Sequence, residues 1–142
     1  MRSLAPSPVP PGFIRIKSSS RFFRGLGRYY ILEQSDQPPV YGLHVRPKHG
    51  NRHGTGHGGF LASLADTFMA GYVSHECPGA RMVTADLRIR YVRPAQMGDW
   101  LQNRQVSLVR QGDTVLVQCD LECGGKAVIR AYGRFKLLPP LD

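Results

Sequence analysis

Apolar residues recur through the middle of the chain with the period of a helix. Phe60, Leu61, Leu64, Ala65, Phe68, Met69, Tyr72 and Val73 follow an i, i+1, i+4, i+5 spacing that lays a broad apolar stripe along one side. The other side is small: Ala62, Ser63, Thr67, Ala70, Gly71 and Ser74, with no lysine, arginine or glutamate between Phe60 and Ser74. A helix without a solvating face is covered all round, here by a sheet on one side and a partner chain on another. The spacing predicts a helix that starts near residues 57–59 and runs to about residue 75, stopped by Cys77-Pro78-Gly79.

Downstream the period drops to two. Over residues 82–92, Leu87, Ile89 and Tyr91 alternate with Asp86, Arg88 and Arg90. Residues 101–110 are less regular. Residues 114–123 put Val115, Val117, Cys119 and Leu121 on one face, and residues 126–137 put Ile129, Ala131, Phe135 and Leu137 opposite Lys126, Arg130, Arg134 and Lys136. The turns Gln111-Gly112-Asp113 and Gly124-Gly125 are short enough for hairpins, so these four runs are expected to form an antiparallel meander.

Upstream, residues 28–33 and 40–45 read as a hairpin split by Ser35-Asp36-Gln37-Pro38-Pro39. Residues 13–25 fit either a short helix or an irregular lead-in, and residues 47–56 are too rich in Gly and Pro for regular structure. The Pro- and Ser-rich residues 1–12 are expected to be a flexible arm, with residues 13–142 a single domain. One long helix across one face of a single antiparallel sheet of about six strands is an α+β domain.

Length and composition add bounds. At 142 residues and 42% apolar, the chain can bury one core without staples. Cys77, Cys119 and Cys123 are an odd number and read as reduced thiols, with no second Cys/His pair to complete a zinc site. No run approaches the ~18 apolar residues of a membrane span. The first residues lack the apolar segment of a secretory signal. The expected location is therefore the cytoplasm, with no membrane insertion. The net charge of +9, with fifteen of nineteen basic residues arginine, attracts polyanions. Because the arginines are scattered, a solvated basic surface and a site for a phosphorylated small molecule stand level, and nucleic acid falls below both.

Two features carry candidate chemistry. Asp66 is the one charge in the helical run and sits at the edge of the apolar stripe, near Ala62, Met69 and Val73. Loss of hydration there costs free energy unless the carboxylate is paired or put to use, and pairing with an arginine or an amide is as good a reading as a general base. The second feature is Gly54-Thr55-Gly56-His57-Gly58-Gly59, which leaves backbone N–H groups unshielded at a positively polarised helix start, as an oxyanion site needs, although a tight packing turn explains it equally. Asp66 lies about 10 Å along the axis from Gly59 at ~1.5 Å per residue. If both serve one site, Asp66 must come from a second subunit.

Other readings fit less well. Gly54-x-Gly56-x-x-Gly59 matches a dinucleotide fingerprint in spacing but follows no strand directly. His49, His53 and His57 are spaced by four in a stretch that cannot be helical, and no GxSxG elbow occurs.

Asn51-Arg52-His53-Gly54-Thr55-Gly56-His57-Gly58-Gly59 followed by Leu64-Ala65-Asp66 resembles the signature of the PaaI-like (phenylacetate-pathway) hotdog thioesterases. Thr84 to Ala95 resembles that family's long strand with its closing proline, and Gly98-Asp99 the opening of the next strand. The resemblance implies a hotdog fold, a homodimer with a continuous sheet, pairing into homotetramers, and hydrolysis of acyl-CoA thioesters. It implies that Gly58 N–H receives the thioester oxygen, that His57 and Asn51 help place the carbonyl or the water, that Asp66 of a partner subunit acts as base or nucleophile, and that Thr84 orients the water. Strict alternation puts Thr84 on the face of Asp86, so a bulge or the strand end is needed to aim it. Gly59, Arg88, Arg90, Tyr91, Arg93 and Arg110 are the candidates for holding substrate, with coenzyme A as part of the substrate and no other cofactor. Hotdog hydratases carry a histidine where this chain has Gly71, which weighs against dehydration. The alternative function is a non-catalytic acyl-CoA binding or sensing protein.

Overall fold

The apolar stripe becomes α2, Gly58–Glu76, the longest helix among the described residues 5–141 of the computed structural model. All eight residues of the stripe are buried. His57 caps the helix by accepting the Gly59 N–H on Nδ1 at 2.9 Å, and the chain leaves it through Cys77, whose N–H donates to Val73 O. The left-handed Gly79 (φ 76°) then turns it into the sheet.

Seven antiparallel strands form one sheet across α2: β1 Ile14–Ile16, β2 Tyr29–Gln34, β3 Gln37–His44, β4 Arg81–Tyr91, β5 Trp100–Gln111, β6 Thr114–Cys123 and β7 Lys126–Leu138, in the order β1-β2-β3-β5-β6-β7-β4. Val115, Val117, Cys119 and Leu121 of β6 and Ile129, Ala131, Phe135 and Leu137 of β7 all face the helix and are buried. Burial pushes the Cys119 thiol up to about 12, so it behaves as an inert apolar side chain. This is the helix-and-wrapping-sheet architecture that the resemblance implies.

The expected meander is shorter than four strands. β5, β6 and β7 are joined by hairpins, but β4 pairs with β7 and β5 with β3. Residues 92–99 therefore cross between the two edges of that three-strand block. They are held by Val92 and Arg93 N–H to Val128 O, Gly56 N–H to Ala95 O and Gly98 N–H to Val45 O. Hairpin turns announce themselves in sequence, whereas a crossover shows only as a loop, so β4 was assigned the wrong neighbour. The result leaves β4 at the sheet edge with one side of its backbone unpaired.

The N-terminal hairpin turns at Ser35-Asp36 and not over the whole 35–39 stretch; Pro38 and Pro39 lie inside β3. Pro39 is tolerated near the strand start, and its carbonyl accepts the Tyr72 hydroxyl at 2.6 Å. Burial of that phenol raises its pKa, so it stays a neutral donor. The undecided residues 13–25 hold β1 and most of a short helix α1, Arg21–Leu26, capped by Ser20. Residues 1–4 lie outside the described part of the arm. From Ser7 onward the arm rests on the fold, its N–H and hydroxyl donating to Gly98 O while His44 Nε2 donates to Ser7 O at 2.5 Å.

Candidate active site

The site forms where α2 meets the inner face of β4. Thr84 reaches that face because β4 bulges: the register with β7 shifts between Thr84 and Asp86, leaving Ala85 unpaired. Thr84, Leu87, Ile89 and Tyr91 then point toward α2, and Asp86, Arg88 and Arg90 point away. Without the extra residue, Thr84 would share the outer face with Asp86. With it, the Thr84 hydroxyl donates to Asp66 Oδ1 at 2.8 Å. Asp66 is half-buried, and its second oxygen is the one Thr84 leaves open.

Two turns earlier, Tyr91 touches the helix start. Its hydroxyl donates to Gly58 O at 2.7 Å, and its ring lies against Gly58 so closely that a Cβ there would meet the hydroxyl oxygen at 3.2 Å. Gly58 is the first residue of α2, so its N–H has no partner inside the helix. Among the described residues, no recorded hydrogen bond uses that N–H. Gly59 differs: His57 Nδ1 already takes its N–H. Of the two glycines expected to face a substrate, Gly58 offers a donor and Gly59 does not. The cap also fixes the His57 tautomer, because an accepting Nδ1 leaves the ring proton on Nε2.

The loop before α2 is held from within. Asn51 Oδ1 accepts the His53 and Thr55 N–H groups, and its Nδ2 donates to Thr55 Oγ1 at 2.8 Å. Asn51 thus shapes the loop, with one amide hydrogen left over. His49 is a residue that sequence reasoning did not assign to the site. It is 4% exposed, stacks on Phe60 at 3.9 Å, accepts the Arg46 N–H on Nδ1 and donates through Nε2 to Leu26 O. Its own carbonyl receives the His57 N–H at 2.7 Å, which ties α1 to the helix start. Burial lowers its pKa, in keeping with a neutral ring that both accepts and donates. Nothing in the local sequence separates it from His53.

The arginines divide. Arg88 and Arg90 lie on the outer face of β4, away from Asp66 and Gly58; Arg88 stands 5.9 Å over the Tyr132 ring, and Arg90 pairs in register with Arg130. Alternation places both of these substrate-holding candidates on the face of β4 turned away from α2 of their own chain. Arg110 binds Gly112 O and Cys77 Sγ at the far end of α2, roughly 28 Å from Gly58 at ~1.5 Å per residue. Arg93 is anchored on Ala127 O at 2.8 Å, beside the β6–β7 turn. At Gly71, a Cβ would stand 2.6–2.9 Å from the Tyr41 ring and hydroxyl, so a larger residue there would have to displace that ring.

Within one chain, Gly58 and Asp66 are eight residues apart, about 12 Å along the axis. The arrangement offers one oxyanion donor at a positive helix end and, separately, a carboxylate held by a hydroxyl. No helix among the described residues is long and apolar enough to cross a membrane.

Comparison with known proteins bears on these groups. Residues 53–118 match the thioesterase superfamily. A candidate esterase of Pseudomonas aeruginosa is 35% identical, over 91% of this chain and 97% of its own length. Human acyl-coenzyme A thioesterase 13 is 31% identical, over 80% of this chain and 81% of its own. Among solved structures, a variant of the phenylacetic acid degradation protein PaaI from Thermus thermophilus superposes with a TM-score of 0.71 at 30% identity, covering 84% of this chain and 100% of that one. A Bacillus halodurans protein solved with CoA gives 0.69 at 32% identity, covering 78% and 74%.

Proposed function

Because the chain belongs to the thioesterase superfamily, we propose that it hydrolyses acyl-CoA thioesters at a site shared between two subunits. The observation that carries this reading is the Thr84–Asp66 hydrogen bond of 2.8 Å on the side of α2 that faces the open edge of the sheet.

β4 is eleven residues long, unpaired on one side, and exposes Val83 (49%), Leu87 (38%) and Tyr91 (54%). Such an edge is a template for another strand. A second copy of β4, antiparallel about a two-fold axis at Arg88 and with the bulged Ala85 left out of the pairing, sets Thr84 of one chain opposite Tyr91 of the other. Opposed residues share a face, on strands ~4.8 Å apart. Thr84 marks Asp66 and Tyr91 marks Gly58, so this register brings the carboxylate of one subunit to the amide of the other. The outer face, with Val109, Leu116 and Tyr132 exposed, suits pairing of dimers into a tetramer.

In the reaction, Asp66 takes a proton from a water that the Thr84 hydroxyl helps to hold. The water oxygen adds to the thioester carbon, and the oxyanion receives the Gly58 N–H at the helix start. The C–S bond then breaks, and the CoA sulfur leaves as a thiol with the proton that Asp66 took up. The step thus consumes one water and uses the Gly58 amide and the Asp66 and Thr84 side chains.

Thiol release from a panel of acyl-CoA thioesters, by the native protein and by Asp66→Asn, tests the reading. Turnover lost in the variant, with CoA affinity kept, is expected. Silence of the native protein across the panel with measurable CoA binding would favour the non-catalytic binder. Single turnover in ¹⁸O-water tests the base assignment: label in the acid product agrees with it, and label in the protein overturns it in favour of a nucleophile.

A further inference from the structure

The N-terminal layer gathers positive charge that the fold does not neutralise. No Asp or Glu precedes Glu33. Arg15 on β1, Lys17 just after it, Arg24 on α1 and Arg28 just before β2 line one cup of about 470 Å³, together with Ser18 and Gly27. Among the described residues, the ion pairs all fall elsewhere: Arg104–Glu122, Arg130–Asp120, Arg134–Asp86 and Lys136–Asp113. Four cations converging within about a Debye length repel one another, and a multivalent anion relieves that repulsion. Arginine forks match phosphate oxygens in pairs, and the cup's volume falls in the range of small-molecule sites and not of a polymer track.

The cup also adjoins the helix start. Its wall at Gly27 has φ +141°, and a Cβ there would stand 3.6 Å from His49 Nε2. The carbonyl of the same His49 receives the His57 N–H, one residue before Gly58. His49 thus links the wall of the cup to the helix start of the same chain.

We infer that this cup binds the phosphate groups of the CoA moiety while the thioester reaches Gly58. The inference rests on the acyl-CoA reading above. Arg15, Arg24 and Arg28 hold the phosphates and Lys17 adds charge, so the cup acts on substrate affinity and takes no part in bond making.

Calorimetric titration of CoA and of adenosine 3′,5′-bisphosphate into the native protein and into the triple variant Arg15→Gln, Arg24→Gln, Arg28→Gln tests this. Hydrolysis of an acyl-CoA and of the matching phosphate-free acyl-pantetheine is measured in parallel. Affinity for both phosphorylated ligands is expected to fall at least about tenfold, as lost charge-assisted hydrogen bonds dictate. The ratio of kcat/KM for acyl-CoA over acyl-pantetheine should fall by about the same factor. If the triple variant melts early, the single variants Arg24→Gln and Arg28→Gln and the salt dependence of CoA binding to the native protein replace it; salt-independent binding overturns the inference. Unchanged CoA affinity in a folded variant overturns it while leaving hydrolysis standing. Bisphosphate binding lost with the ratio unmoved assigns the cup to a separate phosphorylated ligand and overturns the CoA assignment. Phosphate-dependent binding lost in the variant of a protein that hydrolyses nothing sinks the hydrolytic reading alone.

Discussion

Thr84 and Tyr91 both reach from the inner face of β4 to α2, but they meet opposite chemistry. Tyr91 donates to the carbonyl of Gly58, where the helix offers an N–H and partial positive charge. Thr84 donates to the carboxylate of Asp66, which offers a charge and a proton acceptor. One end of the strand thus marks a place for negative charge to develop and the other a place for a proton to go. The two stand about 12 Å apart along the helix. A thioester carbonyl and the water that attacks it must lie in contact, so in the proposed reaction one chain would hold the two halves of a site but not the site. On that proposal, the open edge of β4 is where halves from different chains would join.

Substitutions separate the two ends. The largest effect is expected for Asp66→Asn, with kcat down by roughly 10²–10⁴ and the dimer intact by light scattering, as loss of a general base predicts. Next is Gly58→Pro. Proline is favoured at the first position of a helix and suits the extended residue before it, so the helix start survives while its donor is lost. A fall in kcat of roughly 10²–10³ is expected. Gly58→Ala, which adds a Cβ but keeps the N–H, should cost much less, and equal losses would mean that the amide is not the active group.

Smaller effects come from the two β4 contacts. Thr84→Ala removes a hydroxyl from the water and should lower kcat by about tenfold, with Thr84→Ser restoring most of it. Tyr91→Phe removes one hydrogen bond from the first turn of α2. A stability loss of about 1 kcal/mol, seen as a lower melting temperature, is the larger part of its effect.

The smallest effect is a slope with pH. The His49 pKa is lowered by burial, so the unfolded chain binds its proton more readily than the folded one. Stability from His49 is therefore full above the unfolded value of about 6.5 and lost as pH falls through the window down to the depressed folded value. Melting temperature should decline on acidification from neutrality, and His49→Phe, which keeps a ring on Phe60, should flatten that decline.

Much of this arrangement could be read from the chain itself. The i, i+1, i+4, i+5 spacing identified all eight buried residues of α2, and alternation identified the inward residues of β6 and β7. Strict alternation left either a bulge or the strand end to aim Thr84, and the unpaired Ala85 decides for the bulge. The position of β4 could not be read, because strand order depends on which long-range pairs win and no local signal marks a crossover. The same gap hid the surroundings of Arg88 and Arg90: with β4 at the edge, one face looks onto α2 and the other looks away. The cationic cup escaped notice for a different reason. Its arginines, Arg15, Arg24 and Arg28, converge only when β1, α1 and β2 fold together, although an acid-free stretch as far as Glu33 was in plain view.

Co-refolding Gly58→Pro with Asp66→Asn asks most directly whether two chains build each site. Each homodimer lacks a group in both of its sites. A mixed dimer that joins Gly58 of one chain to Asp66 of the other has one whole site. Random mixing should then return about one quarter of native activity from two inactive parents, because half of the dimers are mixed and each has one of two sites restored. If the mixture stays as inactive as its parents while mass spectrometry shows that mixed dimers have formed, the amide and the carboxylate do not act across subunits.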